Sequence, residues 1–356
     1  MPPTSASPIN LFDLNEAELQ EFVIARGGKA YWARHLWHNL YRKRVTSWDE
    51  MHELPSELRR RLGSDAVLGL LSIDGEHASP DNTTLKLRAK LSDGAIIEAV
   101  LMEYLSGRKT VCVSTQVGCA VGCPFCATGE MGFSRNLTPG EIVAQVLHFA
   151  RQYPIDNLVF MGMGEPFLNY DNTWKAITIL NSANGLGMGA RRFTLSTSGI
   201  VPGIKRLADE SLLVNLAVSL HAPNDELRRK LVPISTKYPL TDLMAACDAY
   251  TEKTGRRIIY EYVLLADVND SDNFAHELGH LLKGKLAHVN LIPVNPSAGG
   301  FERPSRNRQM AFQDIVHHYG VRTTIRAEKG VEINAACGQL AASRVLPVRL
   351  QSSPLR

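Results

Sequence analysis

The chain has 356 residues, of which 44% are hydrophobic and 21% are charged, and its formal net charge is +3. These values are ordinary for a globular protein, and no apolar run reaches the ~18–20 residues that a membrane span requires. The amino terminus, MPPTSASPIN, lacks the basic and apolar segments of a secretory signal. We therefore expect a cytoplasmic protein that does not associate with membranes.

Helical patterns fill residues 11–65. The first helix is predicted by Asn15, a favoured N-cap residue, with Glu18 three positions later to complete a capping box. Two further runs with helical apolar spacing follow before the pattern changes. Residues 83–102 then alternate as short strands do.

Residues 29–61 combine basic and aromatic side chains. The basic ones are Lys29, Arg34, Arg42, Lys43, Arg44, Arg59, Arg60 and Arg61. The same stretch holds three of the four tryptophans, Trp32, Trp37 and Trp48. This combination suits a nucleic-acid backbone with stackable bases. A helical subdomain with buried tryptophans and solvated arginines gives the same composition, and on this stretch alone the second interpretation is favoured.

After residue 108, strand patterns alternate with helical ones. The strand candidates are 110–116, 157–162, 193–197, 214–220, 258–265, 288–293 and 322–326. The clearest helix starts with Thr138 as N-cap, Pro139 at the first position and Glu141 two residues later. Repeated βα units predict an α/β fold with a parallel sheet that closes, or nearly closes, as a barrel.

The pattern divides the chain into three predicted parts. Residues 1–97 form a basic helical accessory domain with short linking strands. Residues 98–345 form a partial (β/α)6-type barrel. Residues 346–356 carry two prolines and are expected to form a loose tail.

Unusual polar and glycine-rich clusters follow five of the predicted strands. They are GMGEP (162–166), STSG (196–199), SLHAP (219–223), PVNP (293–296) and AACGQL (335–340). Active sites of βα barrels lie at the carboxyl ends of the strands. One such cluster is readily explained as a turn, but five together predict a common pocket. The basic run at 228–230 is instead expected to form a solvated helix face.

Three of the six cysteines, Cys119, Cys123 and Cys126, have the spacing C-x3-C-x2-C. Thiolates select iron–sulfur clusters or zinc, and a structural zinc site takes four ligands. Three thiolates on a [4Fe–4S] cluster leave one iron open to a ligand that is not protein. We therefore predict a [4Fe–4S] cluster here. Cys247 lies in a helical pattern and is expected to be a core residue.

Several stretches together resemble one known family. They are CVSTQVGCAVGCPFCATGEMGF, FMGMGEPFLNYDN, TLSTSGIVPGI, LAVSLHAPNDELR, HVNLIPVNP and AACGQL. Over roughly residues 10–340 the chain is similar to the radical S-adenosylmethionine (SAM) superfamily, and within it to the RlmN/Cfr family of 23S rRNA adenine methyltransferases. STQVGC, GEPFLN and STSGI resemble the C2-methylating branch more than the C8-methylating one.

This resemblance implies SAM and a [4Fe–4S] cluster as cofactors. It implies 23S rRNA, and tRNA at the adenosine 3′ to the anticodon, as substrates, with the amino-terminal domain binding RNA. An electron donor such as flavodoxin or ferredoxin is also implied. The segment KGVEINAACGQL differs from the family pattern, which usually has a pair of acidic residues here. In this chain Val331 occupies one of those two positions.

The resemblance also implies the roles of individual residues. Cys337 receives a methyl group from one SAM, a second SAM provides the radical that activates it, and Cys112 releases the product and leaves a disulfide. Glu98 matches the proton-accepting carboxylate. The SAM-contacting positions are Gly164, Glu165, Ser196, Ser219, Leu220, His221 and Asn295.

Three alternatives remain at this point. The chain could be a C8-methylating enzyme on the same scaffold, another radical SAM enzyme such as a maturase, or a non-catalytic RNA-binding protein with a structural cluster. Cys112 and Cys337 argue against the last of these, since a structural cluster does not need them. Residue types alone do not decide between C2 and C8.

Overall fold

The computed structural model describes residues 8–295, 298–327 and 329–341. The predicted tail at 346–356 lies outside the described residues, as does Pro296 of the PVNP cluster. The helices are α1 (Glu16–Ala25), α2 (Ala30–His38), α3 (Ser56–Asp65), α4 (Ala127–Glu130), α5 (Pro139–Ala150), α6 (Tyr170–Asn181), α7 (Val201–Asp209), α8 (Asp225–Leu231), α9 (Leu240–Thr254), α10 (Asp272–Leu282) and α11 (Arg306–His318). None of these helices is long and apolar enough to cross a membrane.

The strands form one large sheet and two small pairs. They are β1 (Ile9–Asn10), β2 (Ala66–Val67), β3 (Ser72–Ala78), β4 (Thr84–Lys90), β5 (Ile96–Glu103), β6 (Lys109–Cys112), β7 (Gln116–Gly118), β8 (Phe133–Asn136), β9 (Asn157–Phe160), β10 (Phe193–Thr197), β11 (Asn215–Ser219), β12 (Ile258–Leu264), β13 (Ala287–Pro293) and β14 (Arg322–Ile325).

The large sheet has the order β3-β4-β5-β6-β9-β10-β11-β12-β13-β14. From β6 to β14 the neighbouring strands are parallel and follow each other in chain order, with helices between them. Strands β3, β4 and β5 extend the sheet in antiparallel fashion. Within the described residues β3 and β14 are its two edges. The predicted partial barrel is thereby confirmed, and it is open.

The predicted strand at 110–116 divides into β6 and β7. Strand β7 leaves the large sheet and pairs with β8 instead, so that the two form a hairpin around the clustered cysteines. Gly118 ends β7 with a φ of +74°, and a Cβ there would lie 1.8 Å from the carbonyl oxygen of Gly132. Only glycine permits this close approach. The hairpin therefore fixes the cysteine loop, residues 119–126, near the carboxyl end of β6.

The capping residues predicted for α1 and α5 are found at the starts of these helices. The backbone N–H of Glu18 donates to the Asn15 side chain at 3.0 Å, which starts α1. At α5 the N–H of Glu141 donates to Thr138 Oγ1 at 3.2 Å, and the N–H of Thr138 donates to the Glu141 carboxylate at 2.9 Å. Both capping boxes form as the sequence predicts.

The amino-terminal helices lie directly against the barrel. The N–H of Gly140, at the start of α5, donates to the Asp13 carboxylate at 2.7 Å. Lys175 on α6 forms an ion pair with Glu18 at 2.7 Å. A single hydrophobic core contains both Trp37 and barrel residues. The predicted domain boundary between residues 97 and 98 falls inside strand β5. The division into domains at that position stays a prediction.

Candidate active site and cofactor cavity

Two adjoining cavities lie at the carboxyl ends of the parallel strands. The larger, of about 950 Å³, is lined by all three clustered cysteines and by residues from each of the five strand-end clusters. The smaller, of about 670 Å³, is lined by Cys112 and Cys337. Cys126, Asn295 and Arg326 line both cavities. The two cavities are therefore neighbours, with the clustered cysteines around the larger one and Cys112 and Cys337 around the smaller one.

The three cysteines of the cysteine loop are only partly exposed. Burial raises the pKa of Cys119 to about 12, and it also raises the pKa values of Cys123 and Cys126. A bound cation offsets this cost by replacing the protons. No three described His, Cys, Asp or Glu side chains converge as ligands of a single metal ion would. A [4Fe–4S] cluster does not require such convergence, because each thiolate binds a different iron. The three cysteines fit such a cluster.

His221 forms part of the wall of the larger cavity and lies against the cysteine loop. Its backbone has a φ of +60°, which is uncommon for histidine. The N–H of Val263 donates to His221 Nδ1 at 3.0 Å. Burial lowers the pKa of His221 to about 3, so the ring is neutral and carries its proton on Nε2. The ring meets Phe125 edge to face, with the centroids 4.9 Å apart.

The GMGEP turn places a carboxylate in the cavity wall. At Gly164 a Cβ would lie 2.7 Å from the backbone nitrogen of Gln116, so no side chain fits. The Glu165 carboxylate accepts hydrogen bonds from the N–H of Phe167 at 2.9 Å and from the N–H and hydroxyl of Ser198 at 2.6 and 2.7 Å. Burial raises the pKa of Glu165, whereas these bonds lower it. The carboxylate is fixed where it can receive a ligand ammonium group.

The other predicted SAM contacts divide into two groups. Ser196, Ser219 and Asn295 line the larger cavity, and the Asn295 amide donates to the carbonyl oxygen of Cys337 at 3.1 Å. Leu220 is fully buried in the core and does not line either cavity. Its carbonyl oxygen instead accepts a hydrogen bond from Arg228 at 3.1 Å.

Glu98 also lies away from both cavities. Its carboxylate forms an ion pair with Lys86 on the neighbouring strand at 3.0 Å, and both side chains are almost completely buried. It also accepts a hydrogen bond from the N–H of Ala341 at 3.1 Å. In this arrangement Glu98 supports the loop that carries Cys337.

The two remaining thiols of the smaller cavity differ in their surroundings. All six cysteines are free thiols. Burial raises the pKa of Cys112 to about 12 and keeps it neutral. A guanidinium N–H of Arg326 donates to Cys337 Sγ at 2.9 Å, so a cation lies beside this sulfur. Of the two, Cys337 is the better placed to act as a thiolate nucleophile.

The loop that carries Cys337, residues 330–341, is hydrogen-bonded to α4, the helix that follows the cysteine loop. The N–H of Ala127 donates to the carbonyl oxygen of Gly338 at 2.8 Å. The hydroxyl of Thr128 donates to the carbonyl oxygen of Leu340. A Cβ at Gly338 would lie 3.3 Å from the carbonyl oxygen of Phe125, so the two segments are in close contact.

Comparison with known proteins identifies the family. The radical SAM superfamily matches residues 113–278, and the ribosomal RNA large subunit methyltransferase N-terminal domain matches residues 9–68. The chain is 48% identical to the dual-specificity RNA methyltransferase RlmN 1 of Myxococcus xanthus, over 95% of this chain and 96% of that protein. The chain belongs to the RlmN family of radical SAM RNA methyltransferases.

Further members agree with this assignment to the RlmN family. The ribosomal RNA large subunit methyltransferase N of Nitrosopumilus maritimus is 46% identical, over 93% of this chain and 98% of that protein. The crystal structure of a radical SAM methyltransferase from Sphaerobacter thermophilus matches with a TM-score of 0.92 and 50% identity, covering 94% of this chain and all of that one. The family and fold expected from the motifs are confirmed.

Sequence reasoning missed three charged residues at the RlmN-family site. Arg326 follows β14 and lies beside Cys337, and its position at a strand end was an available signal. Glu261 lines the larger cavity from within β12, where it is a lone carboxylate among apolar residues. The expectation of a solvated run at 228–230 is wrong for Arg228, which is fully buried. Arg229 and Lys230 are exposed as expected.

Most basic side chains of residues 29–61 bond within the protein. The ones with hydrogen bonds or ion pairs are Arg42, Lys43, Arg44, Arg59, Arg60 and Arg61. Lys29 lies over the Trp32 ring at 5.9 Å. Arg34 is exposed and forms no ion pair within the part of the chain that the structure describes. Lys29 and Arg34 are thus the cations most available to a partner.

Proposed function

We propose that this chain transfers a methyl group from SAM to C2 of an adenine in the peptidyl-transferase centre of 23S rRNA. We propose the same reaction for the adenosine 3′ to the anticodon in tRNA, by way of an S-methylcysteine and with two SAM molecules per turnover. The family assignment and the names of its members, which specify ribosomal RNA and dual specificity, support these substrates. The observation that carries the proposal is that Cys112 and Cys337 line one cavity beside Cys126.

Cys119, Cys123 and Cys126 would hold the [4Fe–4S] cluster, with the fourth iron open to SAM. A cluster held by these residues, with a donor such as flavodoxin or ferredoxin to reduce it, would supply the reductive cleavage of SAM to a 5′-deoxyadenosyl radical. Gly164 and Glu165 would hold the amino group of SAM. The cytoplasm is the proposed compartment, because it keeps such thiols reduced.

Cys337 is the proposed methyl carrier. Adenine C2 lies between two ring nitrogens and is electron-poor. The methyl group of SAM is also electrophilic, so direct attack of C2 on that methyl group is unfavourable. A thiolate is a strong nucleophile for that methyl group. A charge-assisted hydrogen bond from Arg326, now 2.9 Å from Cys337 Sγ, would stabilise the thiolate.

Cys112 is the proposed releasing thiol. Its thiolate would attack the Cys337 sulfur and form a Cys112–Cys337 disulfide. The bond from that sulfur to the transferred carbon would break, and its electron pair would stay with the carbon on the base, which takes up a proton. Burial raises the pKa of Cys112 to about 12, so it must lose a proton before it attacks. Glu98 remains the proposed proton acceptor of the reaction. That role requires its buried ion pair with Lys86 to open.

A Cys112→Ala variant tests this proposal directly. It should still load the methyl group and bond to RNA through Cys337, but it should not release the product. We expect a covalent protein–RNA adduct in cells, visible as a slow band on a denaturing gel that collapses on ribonuclease treatment. Cys337→Ala and the double variant should lack the band. Normal methylation by Cys112→Ala, or an adduct without Cys337, would exclude the two-thiol mechanism.

Mass spectrometry of RNA from a deletion strain, with and without the restored gene, tests the substrate. Digestion to nucleosides and comparison with 2-methyladenosine and 8-methyladenosine standards identifies the modified carbon. We expect 2-methyladenosine in both 23S rRNA and tRNA. An 8-methyladenosine product would instead place the chain with the C8-methylating enzymes.

A further inference from the structure

Arg228 is a fully buried cation beneath the larger cavity. It lies on α8 and has 0% exposure. One guanidinium nitrogen donates to the carbonyl oxygens of Ser198 at 2.8 Å and Ser219 at 3.2 Å. Its Nε donates to the carbonyl oxygen of Leu220 at 3.1 Å. One side chain thus joins the carboxyl ends of β10 and β11.

This arrangement is costly for the fold. A buried charge destabilises a protein unless it is fully bonded. Arg228 forms no ion pair with any residue that the structure describes, and its Nη1 has no hydrogen-bond partner among them. Burial lowers the pKa of Arg228 to about 10, so it still carries its charge at neutral pH. Joining the carboxyl ends of β10 and β11 does not by itself require a guanidinium group.

The bonds of Arg228 lead directly to the cavity. Ser198, whose carbonyl oxygen accepts from Arg228, uses its N–H and hydroxyl to hold one oxygen of Glu165 at 2.6 and 2.7 Å. Leu220, whose carbonyl oxygen also accepts from Arg228, immediately precedes His221 in the cavity wall. A displacement of Arg228 would therefore shift both Glu165 and His221.

The charge of Arg228 also lies close to the space beside the cysteine loop. The carbonyl oxygens of Ser198 and Ser219 accept hydrogen bonds from Arg228, and both serines line the cavity that the three clustered cysteines line. The same positive charge would favour the more negative, reduced form of a cluster held by these cysteines. Net charge and solvent exposure set the potentials of such clusters.

We propose that Arg228 is a positioning residue for SAM and an electrostatic determinant of the cluster. Its guanidinium fixes the ends of β10 and β11, which holds Glu165 toward the SAM amino group. Its buried charge raises the reduction potential of the cluster. This inference rests on the proposed radical SAM function, but it does not depend on the RNA substrate.

The test uses cluster-loaded protein without RNA. Arg228→Gln removes the charge and most of the bonds, and Arg228→Lys keeps the charge but cannot reach all three carbonyl oxygens. Arg229→Gln, on the exposed side of the same helix, is the matched control. The measurements are the SAM dissociation constant by calorimetry, the cluster midpoint potential by titration followed with electron paramagnetic resonance, and the Tm.

We expect Arg228→Gln to weaken SAM binding about tenfold, the size of one lost hydrogen bond to a charged group, and to make the midpoint potential more negative. Arg228→Lys should weaken SAM binding but leave the potential close to that of the unaltered protein. Arg229→Gln should change neither. If Arg228→Gln lowers the Tm but leaves the SAM affinity and the midpoint potential unchanged, Arg228 only stabilises the fold, and the proposal is overturned.

A second variant covers the case in which Arg228→Gln does not fold. Ser198→Ala leaves Arg228 in place and removes one of the bonds to Glu165, so SAM binding should weaken about threefold at constant potential. Unchanged SAM affinity in both Ser198→Ala and Arg228→Lys would overturn the positioning role. Because no RNA is present, these results are independent of whether the chain methylates adenine C2.

Discussion

Residues 29–61 and the larger cavity both contain charged residues, but these differ in exposure. In the first region the charges form exposed pairs such as Arg60 with Glu57, whose side chains are 77% and 59% exposed. Glu165 and Glu261, which line the larger cavity, and Arg228, which binds its wall, are each at most 5% exposed. Exposed pairs contribute little and are screened by salt. Buried charges must each be fixed by specific bonds, so their replacement should have much larger effects.

The largest effect should come from the cysteine loop. Cys119→Ala, Cys123→Ala and Cys126→Ala should each abolish the cluster, because two thiolates do not hold a four-iron cube. Iron and sulfide analysis of anaerobically purified protein gives the measurement. Cys247→Ala is the control, since Cys247 is fully buried away from the cavities; it should retain iron and lose about 1 kcal/mol of stability. Full iron in any of the three variants would contradict the ligand assignment.

A smaller effect is expected at Arg326. Arg326→Met removes the donor 2.9 Å from Cys337 Sγ, and loss of a hydrogen bond to a charged group should slow methylation of Cys337 about 10- to 100-fold. Intact-protein mass spectrometry in the absence of RNA follows the added methyl group over time. The control is Arg322→Met, an exposed arginine at the start of the same strand. Equal rates for the two variants would show that Arg326 does not assist the thiolate.

The smallest effect is expected in the basic stretch. If Lys29 and Arg34 each contact a phosphate, their joint replacement by alanine should flatten the slope of log K against log[salt] by about 1.4–1.8. Arg60→Ala should change the slope little, because Arg60 is already paired with Glu57. Binding titrations with rRNA fragments at several salt concentrations provide the slopes. A larger change from Arg60→Ala would mean that RNA displaces the surface ion pairs.

Most of the fold could be predicted from local signals in the sequence. The capping box of Thr138 and Glu141 depends on neighbouring residues alone, and the seven parallel strands in the described part of the chain follow from periodicity and turns. The spacing of Cys119, Cys123 and Cys126 is equally local. These features could be predicted because no distant contact decides them.

The remaining features depend on contacts between distant elements. The run at 228–230 gives no local indication that only Arg228 faces the strand ends. Glu98 could be singled out by resemblance, but its partner Lys86 depends on the register of β4 and β5. Cys112 and Cys337 were likewise joined by resemblance and not by any residue pattern between them.

The hydrogen bonds between the Cys337 loop and the segment that follows Cys126 have a consequence for divergence within the family. The bond from Ala127 to Gly338 joins two backbone groups and does not depend on the side chain at position 127. The bond to Leu340 instead requires the hydroxyl of Thr128. Relatives should therefore keep serine or threonine at position 128 but accept other side chains at position 127.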